Sequence, residues 1–231
     1  MKLERLLSLF ALIAVAMAMS GTAVAQLVLD DFSTGAYQKE IRSGTAVNVQ
    51  TGGMIGGHRE TVFFVCPPGP CGLSNPFAQS ASIQIRPATK LAPSALVQSG
   101  GYKVGPRLDV QYGSAGPLNL ALAPTYDRLR VTFDASDLVV NFNILAFTNT
   151  LYSQTGCNLL PSITPVTIDF PFVYFTPGKG TSGADFTNIT GLDFIFQSGS
   201  AIGANDWAVT SFQAIPTGAP PADVTCYGLG T

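Results

Sequence analysis

The stretch Gly52-Gly53-Met54-Ile55-Gly56-Gly57-His58-Arg59-Glu60-Thr61-Val62-Phe63-Phe64-Val65 constrains the fold more than any other part of the chain. Glycine adopts positive φ at no steric cost, so two glycine pairs this close together predict a tight backbone reversal. The run that follows is β-branched and aromatic, the composition of a strand. A β-hairpin is therefore predicted, with Val62 and Phe64 on one face of its return arm and Phe63 and Val65 on the other. Both faces end apolar, which places this strand inside a sheet rather than at its edge.

The rest of the chain has the same character. Residues 128–133 alternate Arg128, Leu129, Arg130, Val131, Thr132, Phe133, which sends Leu129, Val131 and Phe133 to a core and the other three outward. Residues 138–147 put Leu138, Val140, Phe142 and Ile144 on one face. Residues 26–32, 81–86, 107–112, 166–170 and 192–196 read as further strands. In 207–214, Ala208, Thr210 and Phe212 share a face opposite Trp207 and Val209. Residues 88–101 are rich in small and turn residues and read as a loop or an edge; 152–165 read as a loop carrying Cys157. No window has helical period and no repeat of solenoid length is present. Many short strands at turn-like spacing predict an all-β fold, an antiparallel β-sandwich.

Only 11% of the 231 residues are charged, against roughly 25% in ordinary globular chains, so Ser, Thr, Asn, Gln and Gly must supply the polar surface. The formal charge of −2 argues against broad attraction to nucleic acid. Residues 1–25 read as a signal peptide: Lys2 and Arg5 head an apolar run, and Ala23-Val24-Ala25 is a cleavage site. The expected plan is this leader, a β-sandwich over 26–215 and an irregular tail over 216–231. The product is secreted or periplasmic, with no membrane span after cleavage. An even cysteine count in an exported chain predicts disulfides, Cys66 with Cys71 and Cys157 with Cys226, in preference to a metal site.

Leu29-Asp30-Asp31-Phe32, Gly56-Gly57-His58-Arg59-Glu60 and Asp206-Trp207-Ala208-Val209 together resemble a group of little-characterised bacterial secreted proteins, many with a PEP-CTERM sorting tail. More loosely, the plan is similar to galactose-binding-like jelly rolls, including many carbohydrate-binding modules. The resemblance implies a jelly roll of two antiparallel sheets and carbohydrate as the ligand class. Two departures stand out. The sequence ends Gly228-Leu229-Gly230-Thr231 without the apolar helix and basic stop of a sorting tail. The closing strand reads Val209-Thr210-Ser211-Phe212, without the acidic residue that helps hold a structural calcium in such modules.

The residues themselves offer few sites. Arg59 is expected to form a structural ion pair with Asp30 or Asp31, Asp31 being preferred, since a guanidinium grips a carboxylate bidentately. Asp30, Asp31 and Asp206 could supply oxygens to a structural calcium if the first and last strands pair; no other cofactor is expected. Tyr102, Tyr112, Tyr152, Tyr174 and Trp207 are the candidate sugar-stacking rings. His58 is the only imidazole, no nucleophile elbow or zinc-protease motif is present, and Asp134, Asp137, Asp185 and Asp206 lie at turns, where carboxylates cap backbone. No catalytic residue is assigned. The reading is a non-catalytic module for polysaccharide or cell-surface glycan. The alternatives are a matrix protein binding other proteins, or a hydrolase of unrecognised type.

Overall fold

The computed structural model describes residues 24–66, 79–102, 104–180, 182–198 and 205–227. Fifteen strands in these residues form two sheets packed face to face. They are β1 (Leu27–Asp30), β2 (Tyr37–Ile41), β3 (Gly44–Thr51), β4 (His58–Val65), β5 (Ala81–Arg86), β6 (Ala95–Gly100), β7 (Pro106–Tyr112), β8 (Tyr126–Ser136), β9 (Val140–Thr148), β10 (Leu151–Leu159), β11 (Val166–Pro171), β12 (Thr176–Pro177), β13 (Gly191–Ser198), β14 (Asp206–Pro216) and β15 (Val224–Thr225).

The first sheet runs β15-β11-β8-β14-β6-β5-β2, with β1 extending β14 beyond β6; the second runs β12-β10-β9-β13-β7-β4-β3. All pairs are antiparallel except β11 with β15. The chain passes repeatedly from one sheet to the other, as in a jelly roll. Among the described residues, no helix is long and apolar enough to cross a membrane.

The glycine hairpin forms as predicted. Thr51 opposes His58, and Gly56 and Gly57 hold φ of 68° and 71°, the left-handed region that a side chain would strain. β4 lies between β3 and β7, inside its sheet. The inward faces of both sheets fill a core rich in aromatic rings. Phe194 of β13 stacks on Phe212 of β14 with centroids 3.9 Å apart, and Phe196 stacks on Trp207 at 4.4 Å. Each pair joins one sheet to the other. Burying such a ring contributes about 1.5–3 kcal/mol.

Several expectations need correction. Residues 151–159 are strand β10, not loop, paired along their length with β9. Its inward positions, Ser153 and Thr155, are polar and buried, so it lacks the apolar alternation that marks a strand. Residues 95–100 form β6, inside the first sheet between β5 and β14. Phe212 shares the core with Trp207 and Val209 instead of facing away, because the β14 register shifts between Val209 and Ser211 and one extra residue reverses the alternation. Arg128 is on the outward side of β8 as expected but is buried there, beneath the C-terminal segment: its guanidinium and that of Arg130 both grip the buried Asp169, at 2.8 and 2.7 Å. The segment after 216 is irregular apart from the two-residue β15, and it is held against the first sheet. Arg128 Nη2 donates to the carbonyls of Ala219 and Pro220, and β15 pairs with β11.

Cys157 of β10 is bonded to Cys226 just after β15, so this disulfide joins one sheet to the other across 69 residues of chain. Cys66 is also disulfide-bonded; Cys71, its predicted partner, lies outside the described residues, as does most of the leader at 1–23.

Candidate functional site

Arg59 is fully buried. Its Nη1 donates to Asp30 Oδ2 at 2.5 Å, Nε to Gln50 Oε1 at 2.8 Å, and Nη2 to the carbonyls of Thr34 and Gly35 at 3.0 and 3.3 Å. Tyr112 Oη donates to the same Asp30 oxygen at 2.6 Å, and the guanidinium sits 5.3 Å from the centre of the Phe32 ring. Burial and the Asp30 charge push the Tyr112 phenol well above its ordinary pKa. The ion pair is therefore structural, but its partner is Asp30. Asp31 is exposed and accepts from the backbone N–H and hydroxyl of Ser33, which lower its pKa.

The calcium triad does not assemble. Asp30 is committed to Arg59 and Tyr112. Asp206 begins β14, whereas Asp30 lies opposite Phe212 on that strand. Six residues of strand separate those positions by roughly 20 Å. Among the described residues, no group of three or more His, Cys, Asp or Glu could hold a metal.

The candidate sugar-stacking rings scatter. Tyr112 and Trp207 are core residues, each 2% exposed, which removes them from any ligand-facing surface. Tyr174 packs edge-on against Tyr227, 5.0 Å away, and Tyr102 sits on the loop before β7. Tyr152 lies on the outward side of β10, with the backbone at Gly178 against its ring. His58 is exposed at the hairpin, its Nδ1 3.2 Å from the Gly56 carbonyl oxygen. Asp185 accepts from the backbone N–H and hydroxyl of Thr187, the local bond expected at a turn, whereas Asp137 accepts from the backbone N–H of Asp206, 69 residues further along the chain.

The polar and aromatic groups that do converge lie on the outer face of the second sheet. Strand alternation puts every second residue there, and the pairing register aligns them in rows across the strands. One row runs Glu60, Gln111, Asp193, Leu145, Gln154; the next runs Val62, Asp109, Ile195, Asn143. On the other side of the first row, Gly191 lies opposite Phe147, which opposes Tyr152. The Phe147 and Tyr152 rings are 5.9 Å apart. A Cβ at Gly178 would lie 2.1 Å from the Tyr152 ring, so only glycine lets the backbone after β12 press this close against it. Asn143 donates to Asn141 at 2.8 Å and Asn141 to Asn158 at 3.0 Å, an amide ladder that holds this part of the face in one arrangement.

Where β7 and β9 end and β13 begins, this face holds a cleft of about 250 Å³ bounded by Gln111, Gly113, Phe147, Thr190, Gly191 and Asp193. Asp193 is 8% exposed. Its Oδ2 receives Gln111 Nε2 at a long 3.4 Å, and its Oδ1 has no hydrogen-bond partner. Burial, reinforced by the nearby Asp109 charge, raises its pKa to about 7. Arg107 offsets this only in part, because its guanidinium is clamped bidentately on Asp109 at 2.7 and 2.8 Å. A buried polar atom without a partner is costly and marks a place where a partner can enter.

Stability should record this. A carboxyl whose folded pKa is raised favours the folded state while protonated, and that contribution is lost as pH rises through about 7. Asp193→Asn should therefore stabilise the protein at pH 8 and leave it near wild type at pH 4. Urea denaturation at the two pH values measures this; an equal effect at both would show that Asp193 ionises normally.

Sequence reasoning missed Asp193, Gln111 and Phe147. The alternation of 107–112 and 192–196 gives their direction, but only the topology makes β7, β13 and β9 neighbours.

No protein-family model and no curated protein sequence matches the chain. Solved structures similar to it include a family 11 carbohydrate-binding module from Clostridium thermocellum in complex with a β-1,3-1,4-mixed-linked tetrasaccharide, at TM-score 0.41 and 15% identity over 84% of this chain and 98% of that one. The family 11 module of the cellulase Lic26A-Cel5E from the same organism gives 0.42 and 14%, over 85% and 97%. An exo-β-agarase gives 0.44 and 9%, over 86% of this chain and 25% of that one.

Proposed function

We propose that this protein is a non-catalytic carbohydrate-binding module that takes polysaccharide or cell-surface glycan on the outer face of the β12-β10-β9-β13-β7-β4-β3 sheet. The observation that carries the reading is the cleft in which the Phe147 ring stands beside the buried Asp193 carboxyl with its unused oxygen. Saccharides present apolar C–H faces to an aromatic ring and hydroxyls to carboxyl and amide groups, and this face supplies both within one short strip. The rows of Glu60, Gln111 and Gln154, and of Asn141 and Asn158, extend polar contacts across the strands beyond the cleft.

Export belongs to the same proposal, supported by the leader pattern at 1–25 and by a disulfide between the sheets.

Calorimetric titration of the protein with a panel of plant, algal and bacterial polysaccharides tests the binding reading. At least one should bind, and Phe147→Ala should weaken it about tenfold or more, the loss of one central aromatic contact. Unchanged binding by Phe147→Ala would move the site elsewhere, and no binding across the panel would defeat the reading.

A further inference from the structure

We infer that the glycan taken by this face is uncharged, with one saccharide unit seated in the cleft and donating a hydroxyl hydrogen to Asp193 Oδ1. This rests on the reading of the face as a glycan site and names its ligand class. Pockets for drug-sized ligands occupy roughly 300–1,000 Å³; the cleft, at about 250 Å³, suits a single sugar ring. Its floor is backbone at Gly191, where a Cβ would approach the Tyr112 carbonyl oxygen at 3.3 Å and the Phe147 side chain at 3.7 Å. One side is the half-buried Phe147 ring. Asp193 lines the cleft, and its Oδ1 is buried without a hydrogen-bond partner.

The charges around the cleft select against anions. β7 contributes Asp109 and Arg107, bound to each other, and β4, beyond it, contributes Glu60 and His58; β9, the other neighbour of β13, has no ionisable residue. Among the described residues, no salt bridge reaches Glu60 or Asp193. A uronate or sulfate would meet these carboxylates with the one nearby guanidinium already engaged, and like charges at an interface suppress binding. A donated hydroxyl favours the ionised carboxyl, whereas burial favours the protonated one. Affinity for the sugar should therefore rise with pH through about 7.

The test is calorimetry on the full chain at pH 5.5 and 8. The uncharged probes are cello-, xylo- and galacto-oligosaccharides, and the anionic probe is an oligogalacturonate of equal length. At least one uncharged probe should bind about tenfold tighter at pH 8 than at pH 5.5, and at least tenfold tighter than the oligogalacturonate. Asp193→Asn should abolish the pH dependence, and Asp193→Ala should weaken binding about tenfold. Equal or tighter binding of oligogalacturonate, or a pH-independent wild type, overturns the inference without needing any variant to fold. If Phe147→Ala loses binding while the Asp193 variants keep it, the inference fails and the glycan face stands. If no probe binds, or if neither the Phe147 nor the Asp193 change alters binding, the glycan face fails with it.

Discussion

Arg59→Met is expected to destabilise the protein by about 3–5 kcal/mol, the usual cost of breaking a buried ion pair from one side. The guanidinium is wholly buried and donates to Asp30, Gln50, Thr34 and Gly35. Removing it strands the Asp30 carboxylate out of water, with only Tyr112 and the Phe32 backbone N–H donating to it. It also removes the guanidinium's two hydrogen bonds to the Thr34 and Gly35 carbonyls, leaving that segment held by Gln50 and the Gly53 backbone N–H. The double variant Arg59→Met with Asp30→Asn removes the stranded charge and should recover part of the loss. A double-mutant cycle by urea denaturation measures the coupling. The same cycle with Asp31→Asn should show none, because Asp31 points to solvent and caps Ser33. Simple additivity with Asp30 would contradict the anchor.

A comparable loss, about 3–5 kcal/mol, is expected for Phe142→Ala. Phe142 is fully buried near the start of β9. Its ring lies 4.6 Å from Phe196, 5.3 Å from Phe170 and 5.8 Å from Phe133, so it touches rings from both sheets. Truncation leaves a cavity that neighbours held by opposite sheets cannot close. Asn141 and Asn143 flank it on the outer face, and Asn143→Ala should cost under about 1 kcal/mol, typical of a surface change. Chemical denaturation of both variants reads the strand's orientation directly: comparable losses would show that β9 does not present one face to the core.

These two sites differ in how far the sequence exposes them. Phe142 and its neighbours alternate clearly enough that face and strand are legible, because the inward side of β9 is apolar while Asn141 and Asn143 mark the outward side. The glycine pairs fix the β3–β4 hairpin for a similarly local reason. β10 was not legible: its inner face uses Ser153 and Thr155, and what holds it is register with β9 and the bond from Cys157 to Cys226. β2, reading Tyr-Gln-Lys-Glu-Ile, is an edge strand with almost no apolar signal. Simple alternation puts Phe212 on the wrong face, because a bulge in β14 leaves no mark in residue type. That Arg59 pairs within the acidic pair was visible; the choice of Asp30 over Asp31 depends on which carboxylate the strand turns inward. The cleft at Asp193 was hidden altogether, since it joins β7, β9 and β13, whose order in the sheet is a property of the whole chain.

The outer face of the second sheet is the proposed seat of the ligand. Amide chemical-shift mapping during titration with a bound oligosaccharide tests it most directly. The largest shifts should fall on Gln111, Asp193, Phe147 and their row neighbours in β4 and β10, with the first sheet little changed. Shifts concentrated instead around Ile163 and Ala208, or around Pro171 and Val173, where other surface hollows lie, would contradict it.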